Sequence, residues 1–225
     1  MSTTKDLQTM FEAGVHFGYN KASRHPSVKD HVFGTKDGVQ IIDLEKTNQS
    51  ITEATDFLKE LASTSSKVVF VGSKNESKSL IKDAATSLGM GYVNTRWVGG
   101  TFTNFAQIKK RIQKLEKMLD QREKGEFAKY TKKEQLMLDR EIAKLQKNYG
   151  GLMGMTELPK AIIVIDSDYE TIAVKEAIAM NIPVIAISNT DCDIREIKYP
   201  IVANDSTRKS VEFLVGMLTA ALKTA

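Results

Sequence analysis

The chain has 225 residues, of which 41% are hydrophobic and 27% are charged. This composition is typical of a folded globular protein and excludes wholesale disorder. No apolar run approaches the ~18 residues that span a bilayer, and no secretory signal is visible, so we expect a cytoplasmic protein with no membrane partner. The net charge of +4 is uneven, because residues 105–149 contain 13 Lys and Arg against 7 Asp and Glu.

The N-terminal part of the chain is predicted to be partly irregular. Apolar residues at helical spacing and a stop at Gly14 indicate a short amphipathic helix. Asp37-Gly38 predicts a turn before a strand. The elements predicted here are a helix over residues 5–14, an irregular loop through residue 33, a strand over residues 39–42 and a helix over residues 43–62. The loop contains Lys21 and Arg24.

Five buried strands alternate with helices in the rest of the chain. Continuous apolar runs are typical of strands that are buried on both faces. The predicted strands cover residues 67–71, 92–93, 161–165, 183–187 and 199–202. The predicted helices cover residues 76–88 and 169–180, followed by a final helix that Asn204-Asp205 caps and that ends near Leu222. This alternation predicts an α/β protein: a flavodoxin-like three-layer α/β/α sandwich around a five-stranded parallel sheet.

Two helices with apolar seams interrupt this sheet. Their apolar residues follow steps of three and four, as in a coiled coil. The seams are Phe105, Ile108, Ile112, Leu115 and Leu119, then Leu138, Ile142, Leu145 and Tyr149. Gly125 ends the first helix, and Thr131 with Glu134 forms a capping box for the second. The pattern predicts an antiparallel coiled-coil hairpin at residues 105–149, inserted into an α/β domain of residues 1–104 and 150–225 that carries an N-terminal helix and loop extension.

The first candidate for chemistry is a crevice where the strand order reverses, between the strands at residues 67–71 and 161–165. Lys74 and backbone N–H groups would hold a phosphate there, opposite Asp166. The chain has no glycine-rich phosphate loop, and polar residues after a strand are often plain helix caps. A flavodoxin-like enzyme or nucleotide-binding domain therefore stays as the alternative function, with a pure protein-interaction module as a third.

Other catalytic or metal chemistry has little support in the sequence. His16, His25 and His31 have irregular spacing, while Asp191, Asp193 and Asp205 are explained equally well by an acidic loop and a helix cap. Cys192 lies between two aspartates, which raise the pKa of a thiol and make it a poor nucleophile. We predict no catalytic residue, no metal, no cofactor and no small-molecule substrate.

A nucleic-acid surface is the better-supported site. Lysine and arginine side chains on the hairpin would neutralise backbone phosphates without reading sequence, although a solvated coiled-coil exterior also uses such residues. Arg96-Trp97 follows a strand and precedes two glycines. Trp97 would stack on a base or anchor the root of the hairpin on the sheet, and the sequence leaves both roles open.

Several segments together resemble one family. Among them is Arg-Trp-Val-Gly-Gly-Thr-Phe-Thr-Asn at residues 96–104. The others are residues 13–18, 33–34, 41–47, 131–134, 158–159, 164–166, 172–177, 182–187 and 204–205. In this order they are similar to the small-subunit ribosomal protein S-two family, from about Leu7 to Leu222. Departures include Thr95, where the family commonly has His, and Arg24-His25-Pro26, where Trp-Asn-Pro is usual.

The resemblance implies a structural, non-catalytic component of the small ribosomal subunit, located on the cytoplasmic ribosome. It implies binding to small-subunit (16S) rRNA at the head–body junction, contact with other small-subunit proteins, and help in seating the large mRNA-binding protein S-one. From the residues we predict an RNA-binding set in which Trp97 anchors the junction. The set is Lys21, Arg24, Arg96, Trp97, Lys109, Lys110, Arg111, Lys114, Lys132 and Lys133.

Overall fold

The computed structural model of the protein describes residues 4–64 and 66–223, which form two sheets and seven α-helices. In chain order the elements are α1 (Thr4–Glu12), β1 (Phe17–Asn20), β2 (Val32–Lys36), β3 (Val39–Ile42), α2 (Leu44–Ser63), β4 (Val68–Val71), α3 (Lys78–Leu88), β5 (Gly91–Val93), α4 (Phe105–Glu123), α5 (Lys132–Tyr149), β6 (Ala161–Ile165), α6 (Thr171–Ala179), β7 (Val184–Ser188), β8 (Tyr199–Val202) and α7 (Arg208–Lys223).

The larger sheet has five parallel strands in the order β5-β4-β6-β7-β8. The strand order therefore reverses between β4 and β6, as the sequence predicts. Alternate residues of each strand point to opposite faces, and both faces are covered, so the strands are apolar throughout. In β4, for example, Val68 and Phe70 pack in one apolar core and Val69 and Val71 in the other.

Helices cover both faces of the parallel sheet. Buried residues of α1, α2, α3 and α7 form one core with the sheet. On the opposite face, α6 and the first turns of α4 form the second core. The predicted flavodoxin-like three-layer α/β/α class is confirmed.

The N-terminal region contains a second sheet that the sequence analysis did not predict. Strands β1, β3 and β2 pair antiparallel in that order. The prediction of an irregular loop through residue 33 is therefore wrong in part. Its strands are short, half-exposed and interrupted by register shifts, so they lack the alternation that marks a strand in sequence. The Asp37-Gly38 turn is confirmed, with φ of 51° and 81°, the backbone of a two-residue hairpin turn.

The last helix begins later than predicted. Helix α7 starts at Arg208, so Asn204 and Asp205 do not cap it. The Asn204 carboxamide instead accepts from the backbone N–H of Ser206, and an Asp205 carboxylate oxygen lies 2.8 Å from the Lys74 ammonium. A tertiary ion pair therefore takes the place of the predicted cap.

Helices α4 and α5 form the predicted antiparallel pair. The division into an α/β domain and an inserted domain stays a prediction, and residues 1–3 and 224–225 of it lie outside the described part of the chain. Helix α4 is not separate from the sheet at its base, because Ile108 and Ile112 pack in the same core as α6.

Candidate nucleic-acid interface

A small apolar core of its own holds the two hairpin helices together. Leu115 and Met118 of α4 pack against Ile142 and Leu145 of α5. At the tip, Thr131 and Glu134 form the predicted capping box, in which the Thr131 side chain accepts from the Glu134 N–H and the Glu134 carboxylate accepts from the Thr131 N–H. Gly125 ends the first arm with φ of +72°, a left-handed backbone that favours glycine.

Few of the hairpin cations have a partner within the protein. Of the 13 lysines and arginines at residues 105–149, only Lys114, Arg122 and Lys124 form ion pairs with described residues. These pairs join exposed side chains and therefore contribute little to stability. The other ten cations form no ion pair with described residues, and with 13 cations against 7 carboxylates the hairpin has a net charge of +6.

The predicted hairpin residues differ in how free they are. Lys110, Arg111, Lys132 and Lys133 are exposed and form no ion pair with the described residues. Lys109 is half-buried, and its ammonium donates to the carbonyl oxygen of Thr156 at 3.1 Å. Lys114 is engaged by Glu141, so a phosphate would have to compete with that carboxylate.

Lys133 and three further cations form a stripe that adjacency in the sequence does not reveal. Lys133, Arg140, Lys144 and Lys147 follow one another at spacings of seven, four and three, which places them on one face of α5. All four are exposed. The stripe runs ~21 Å along the helix from the hairpin tip to its root, at 1.5 Å per residue. Helical spacing was the signal that would have identified Arg140, Lys144 and Lys147 from the sequence.

Trp97 lies at the hairpin root and is only 3% exposed. Its ring meets Phe102 edge to face at 4.9 Å, and its Nε1–H donates to a Glu176 carboxylate oxygen at 3.4 Å. A base has no free ring face on which to stack, so base stacking by Trp97 is not supported, and its burial agrees with the anchoring role. The adjacent Arg96 is exposed and forms no ion pair within residues 66–223.

Glu176 is the structural centre of the hairpin root. Its carboxylate accepts from the backbone N–H groups of Gly100 at 2.6 Å, Phe102 at 2.9 Å and Thr103 at 3.3 Å. Burial would raise the pKa of Glu176, but these hydrogen bonds outweigh it and hold the pKa below its usual value. A carboxylate on the otherwise apolar buried face of α6, three residues after Ala173, was the sequence signal for this role.

Lys21 and Arg24 are not brought together with the hairpin cations. They lie in the segment after β1, which contacts the loop after β7 through a hydrogen bond from the His25 N–H to the carbonyl oxygen of Thr190. Arg96 follows β5, and strands β4 and β6 separate it from β7 in the sheet. Lys21 is exposed and Arg24 is half-buried.

Lys74 is not available for a phosphate. Its ammonium contacts carboxylate oxygens of both Asp166 and Asp205. Burial would lower the pKa of Lys74, but these two carboxylates outweigh it and raise the pKa. The charge of Lys74 is therefore already neutralised. The phosphate site predicted in the crevice depended on this lysine and loses its support.

The thiol and metal-ligand candidates from the sequence lie in surroundings that suit a structural role. The Cys192 thiol is fully buried, and burial, with a smaller effect from Asp166 and Asp191, raises its pKa to about 12. In the part of the chain that the structure describes, no three His, Cys, Asp or Glu side chains group together as metal ligands. Within the same residues, no helix is long and apolar enough to cross a membrane.

Comparison with known proteins gives one consistent result. Residues 10–225 match the family profile described as Ribosomal protein S2. The chain is 42% identical over 216 residues to the small ribosomal subunit protein uS2 of Petrotoga mobilis, an alignment that covers 96% of this chain and 75% of that protein. It is 41% identical over 215 residues to the protein of the same name from Roseiflexus sp., covering 96% of this chain and 82% of that protein.

A match over nearly the whole chain places this α/β protein with its basic hairpin among the ribosomal proteins. The chain belongs to the ribosomal protein S2 family. The resemblance drawn from the sequence is confirmed. Membership makes the chain a structural constituent of the small ribosomal subunit, which acts in translation on the cytoplasmic ribosome.

Proposed function

We propose that the chain binds 16S rRNA at the head–body junction through its hairpin and the loop at Arg96, and that it catalyses no reaction. The observation that carries the proposal is the set of ten hairpin cations that form no ion pair with described residues. Phosphates of an RNA backbone would supply the missing negative charge, and release of their counterions would drive binding. The rigid apolar seam holds the cations in place, so binding needs little reordering of the protein.

The non-catalytic part of the proposal rests on the groups that would otherwise be reactive. Cys192 has no exposed surface and a pKa raised to about 12, so it forms little thiolate near neutral pH. Lys74 is held between two carboxylates. The crevice alternative thus loses the lysine expected to hold phosphate, and the separate thiol candidate is a poor nucleophile.

A charge-reversal variant tests the RNA contact. Changing Lys110, Arg111 and Lys133 to Glu should weaken binding to 16S rRNA, and it should lower the slope of log K against log salt by about 2 to 3, near one unit per lost phosphate contact. The matched control changes Lys82, Lys160 and Lys209 to Glu, which are exposed lysines outside the hairpin. Equal losses in both variants would mean that only net charge matters and would refute a hairpin site.

We further propose that an aromatic groove seats a protein partner, for which the family resemblance implies protein S-one. Residues of α1, β2, β3 and the start of α2 enclose about 520 Å³. Phe11 and Phe33 line this groove and are 60% and 79% exposed, an unusual amount for such large apolar side chains. The charged residues among its described lining are Asp43 and Glu45, and two carboxylates disfavour RNA at this place.

Partner binding at the groove is separable from RNA binding. Changing Phe11 and Phe33 to Ser should abolish capture of purified protein S-one by the chain, while 16S rRNA binding stays unchanged. The control is Met180→Ser, which changes an exposed apolar residue just after α6, outside the groove and the hairpin. Unchanged capture of protein S-one by the double variant would exclude the groove as its seat.

A further inference from the structure

The carboxyl edge of the parallel sheet carries a crevice of about 420 Å³ at the point where the strand order reverses. Loops after β4, β5 and β6 line it, and α5 of the hairpin contributes Lys147. The hydroxyl of Thr95 donates to the carbonyl oxygen of Lys147 at 2.8 Å, which fixes α5 against the loop after β5. The crevice is therefore built jointly by the sheet and the hairpin.

Cations surround this crevice and leave it short of negative charge. Lys78, Arg96 and Lys147 line it, and none of them forms an ion pair within residues 66–223. The ammonium of Lys78 donates to the side-chain oxygen of Asn75 at 3.0 Å, which is a neutral partner. The carboxylate in the lining is Glu170, which is buried and accepts from the backbone N–H of Ser73 at 2.8 Å. Burial raises the pKa of Glu170, and its carboxylate is already bound by Ser73.

An exposed ring and an exposed aliphatic side chain stand beside these cations. Tyr169 and Ile172 are 62% and 51% exposed, and both line the crevice. Asp166 holds the backbone at this point, because one of its carboxylate oxygens accepts from the N–H groups of Asp168 and Tyr169 at 3.0 Å each. Tyr169 is thus presented on a fixed turn, next to a volume within the usual range for small-ligand sites.

We propose that this crevice binds one unstacked nucleotide, with its phosphate against Arg96, Lys78 and Lys147 and its base on Tyr169 and Ile172. A phosphate alone would use the cations and leave the exposed ring and aliphatic surface unused, whereas a nucleotide uses both. A free mononucleotide and a nucleotide splayed out of an RNA strand both carry the phosphate and the base that the crevice would bind. The inference extends the proposed RNA-binding function and rests on it where the nucleotide belongs to RNA.

The cation stripe of α5 favours the RNA source. Its last member, Lys147, lines the crevice, and Lys144, Arg140 and Lys133 continue from there toward the hairpin tip. A strand that follows these cations would arrive at the crevice with its backbone already held. We therefore expect an oligonucleotide to bind more tightly than a single nucleotide.

Trp97 provides a direct probe, because it is the only tryptophan and lies in the crevice lining. Its fluorescence in the full chain, excited at the red edge where uridine does not absorb, is titrated with uridine monophosphate, with oligouridylate and with inorganic phosphate. A saturable change with either uridine ligand, and none or a far weaker one with phosphate, supports the proposal. A stronger response to oligouridylate identifies RNA as the source, and an equal response identifies the free nucleotide.

Matched variants connect the signal to the crevice. Arg96→Gln, Lys147→Gln and Tyr169→Ala should each weaken uridylate binding about tenfold, the effect of losing one charge-assisted or stacking contact. With uridine monophosphate as the ligand, Lys144→Gln is the control, since it removes a charge one turn away on the same stripe but outside the crevice. No saturable change, equal binding of phosphate alone, or an equal effect of Lys144→Gln and Lys147→Gln would overturn the proposal.

The two RNA proposals can fail separately. Salt-dependent binding of 16S rRNA that depends on Lys110, Arg111 and Lys133 would survive if only the crevice were wrong. Loss of that dependence, together with a retained response of Trp97 to uridine monophosphate, would instead leave a free-nucleotide site and remove the rRNA interface.

Discussion

Replacing Glu176 by Gln tests whether this carboxylate holds the root of the hairpin. One carboxylate oxygen accepts from the N–H of Gly100 and from Trp97 Nε1, and the other accepts from the N–H groups of Phe102 and Thr103. A glutamine side chain has one carbonyl oxygen and one amide donor. Whichever way the amide turns, one pair of donors loses its acceptor and faces another donor.

The magnitude follows from the burial of those donors. Trp97 and Phe102 are 3% and 1% exposed, so the orphaned N–H cannot turn to water in either orientation. An unsatisfied buried donor costs about 1–3 kcal/mol, and loss of the charge weakens the bonds that remain. We expect Glu176→Gln to lower the free energy of unfolding by about 2–4 kcal/mol. Urea unfolding near neutral pH, followed by circular dichroism and Trp97 fluorescence, measures it.

The same variant has a predicted pH signature. The folded pKa of Glu176 is lower than its unfolded value, so its ionised form stabilises the fold above the ordinary glutamate pKa. This stabilisation is lost as the pH falls through the folded pKa, and the variant should lack that part of the acid sensitivity. The control is Glu212→Gln, an exposed residue of α7, expected to change stability by less than about 0.5 kcal/mol. Equal stability of both variants would refute the role of Glu176 in holding the root of the hairpin.

Four further perturbations test the hairpin, its root and the buried thiol. Gly151→Ala would place a Cβ 2.2 Å from the carbonyl oxygen of Tyr92 and should lower the free energy of unfolding in urea by more than about 2 kcal/mol. Gly125→Ala meets no atom within 4 Å but has φ of +72°, and it should cost about 1 kcal/mol. Thr131→Ala removes the capping box and should cost about 1 kcal/mol, seen as faster amide exchange in the first turn of α5; unchanged exchange would contradict it. Cys192 should resist iodoacetamide in the folded chain and react once urea unfolds it, because burial raises its pKa to about 12, and fast native alkylation would contradict its burial.

The parallel sheet could be predicted because burial on both faces leaves a plain mark in the sequence. The predicted bounds of β6, Ala161–Ile165, agree with the structure because all five residues are buried and apolar. Strands β1 and β2 leave no such mark, because both are short and none of their residues is fully buried. The start of α7 was also predicted too early, and there Asp205 pairs with Lys74 instead of capping the helix.

The residues of the candidate site were easiest to predict where they are adjacent in sequence. Lys132-Lys133 stand out as a pair, whereas Lys147 becomes informative only through its helical spacing and its place beside the loop after β5. The role of Trp97 could not be assigned from sequence. Anchoring the hairpin root and stacking on a base both use a tryptophan, and they differ only in whether its ring is buried. Burial depends on Phe102 and Glu176, and the latter lies more than seventy residues away along the chain.

At the carboxyl edge of the parallel sheet, one group of charges is paired and another is unpaired. On the side of β6 to β8, Lys74 is enclosed by Asp166 and Asp205, so the charges neutralise one another and stabilise the fold. On the side of β5, Arg96 and Lys147 have no carboxylate partner among the described residues. Leaving exposed cations unpaired costs the free protein little, since surface ion pairs contribute only about 0–1 kcal/mol. The same cations gain much more from phosphates, whose condensed counterions are released on contact. The unpaired half of the edge is therefore the half that is suited to an external anionic chain.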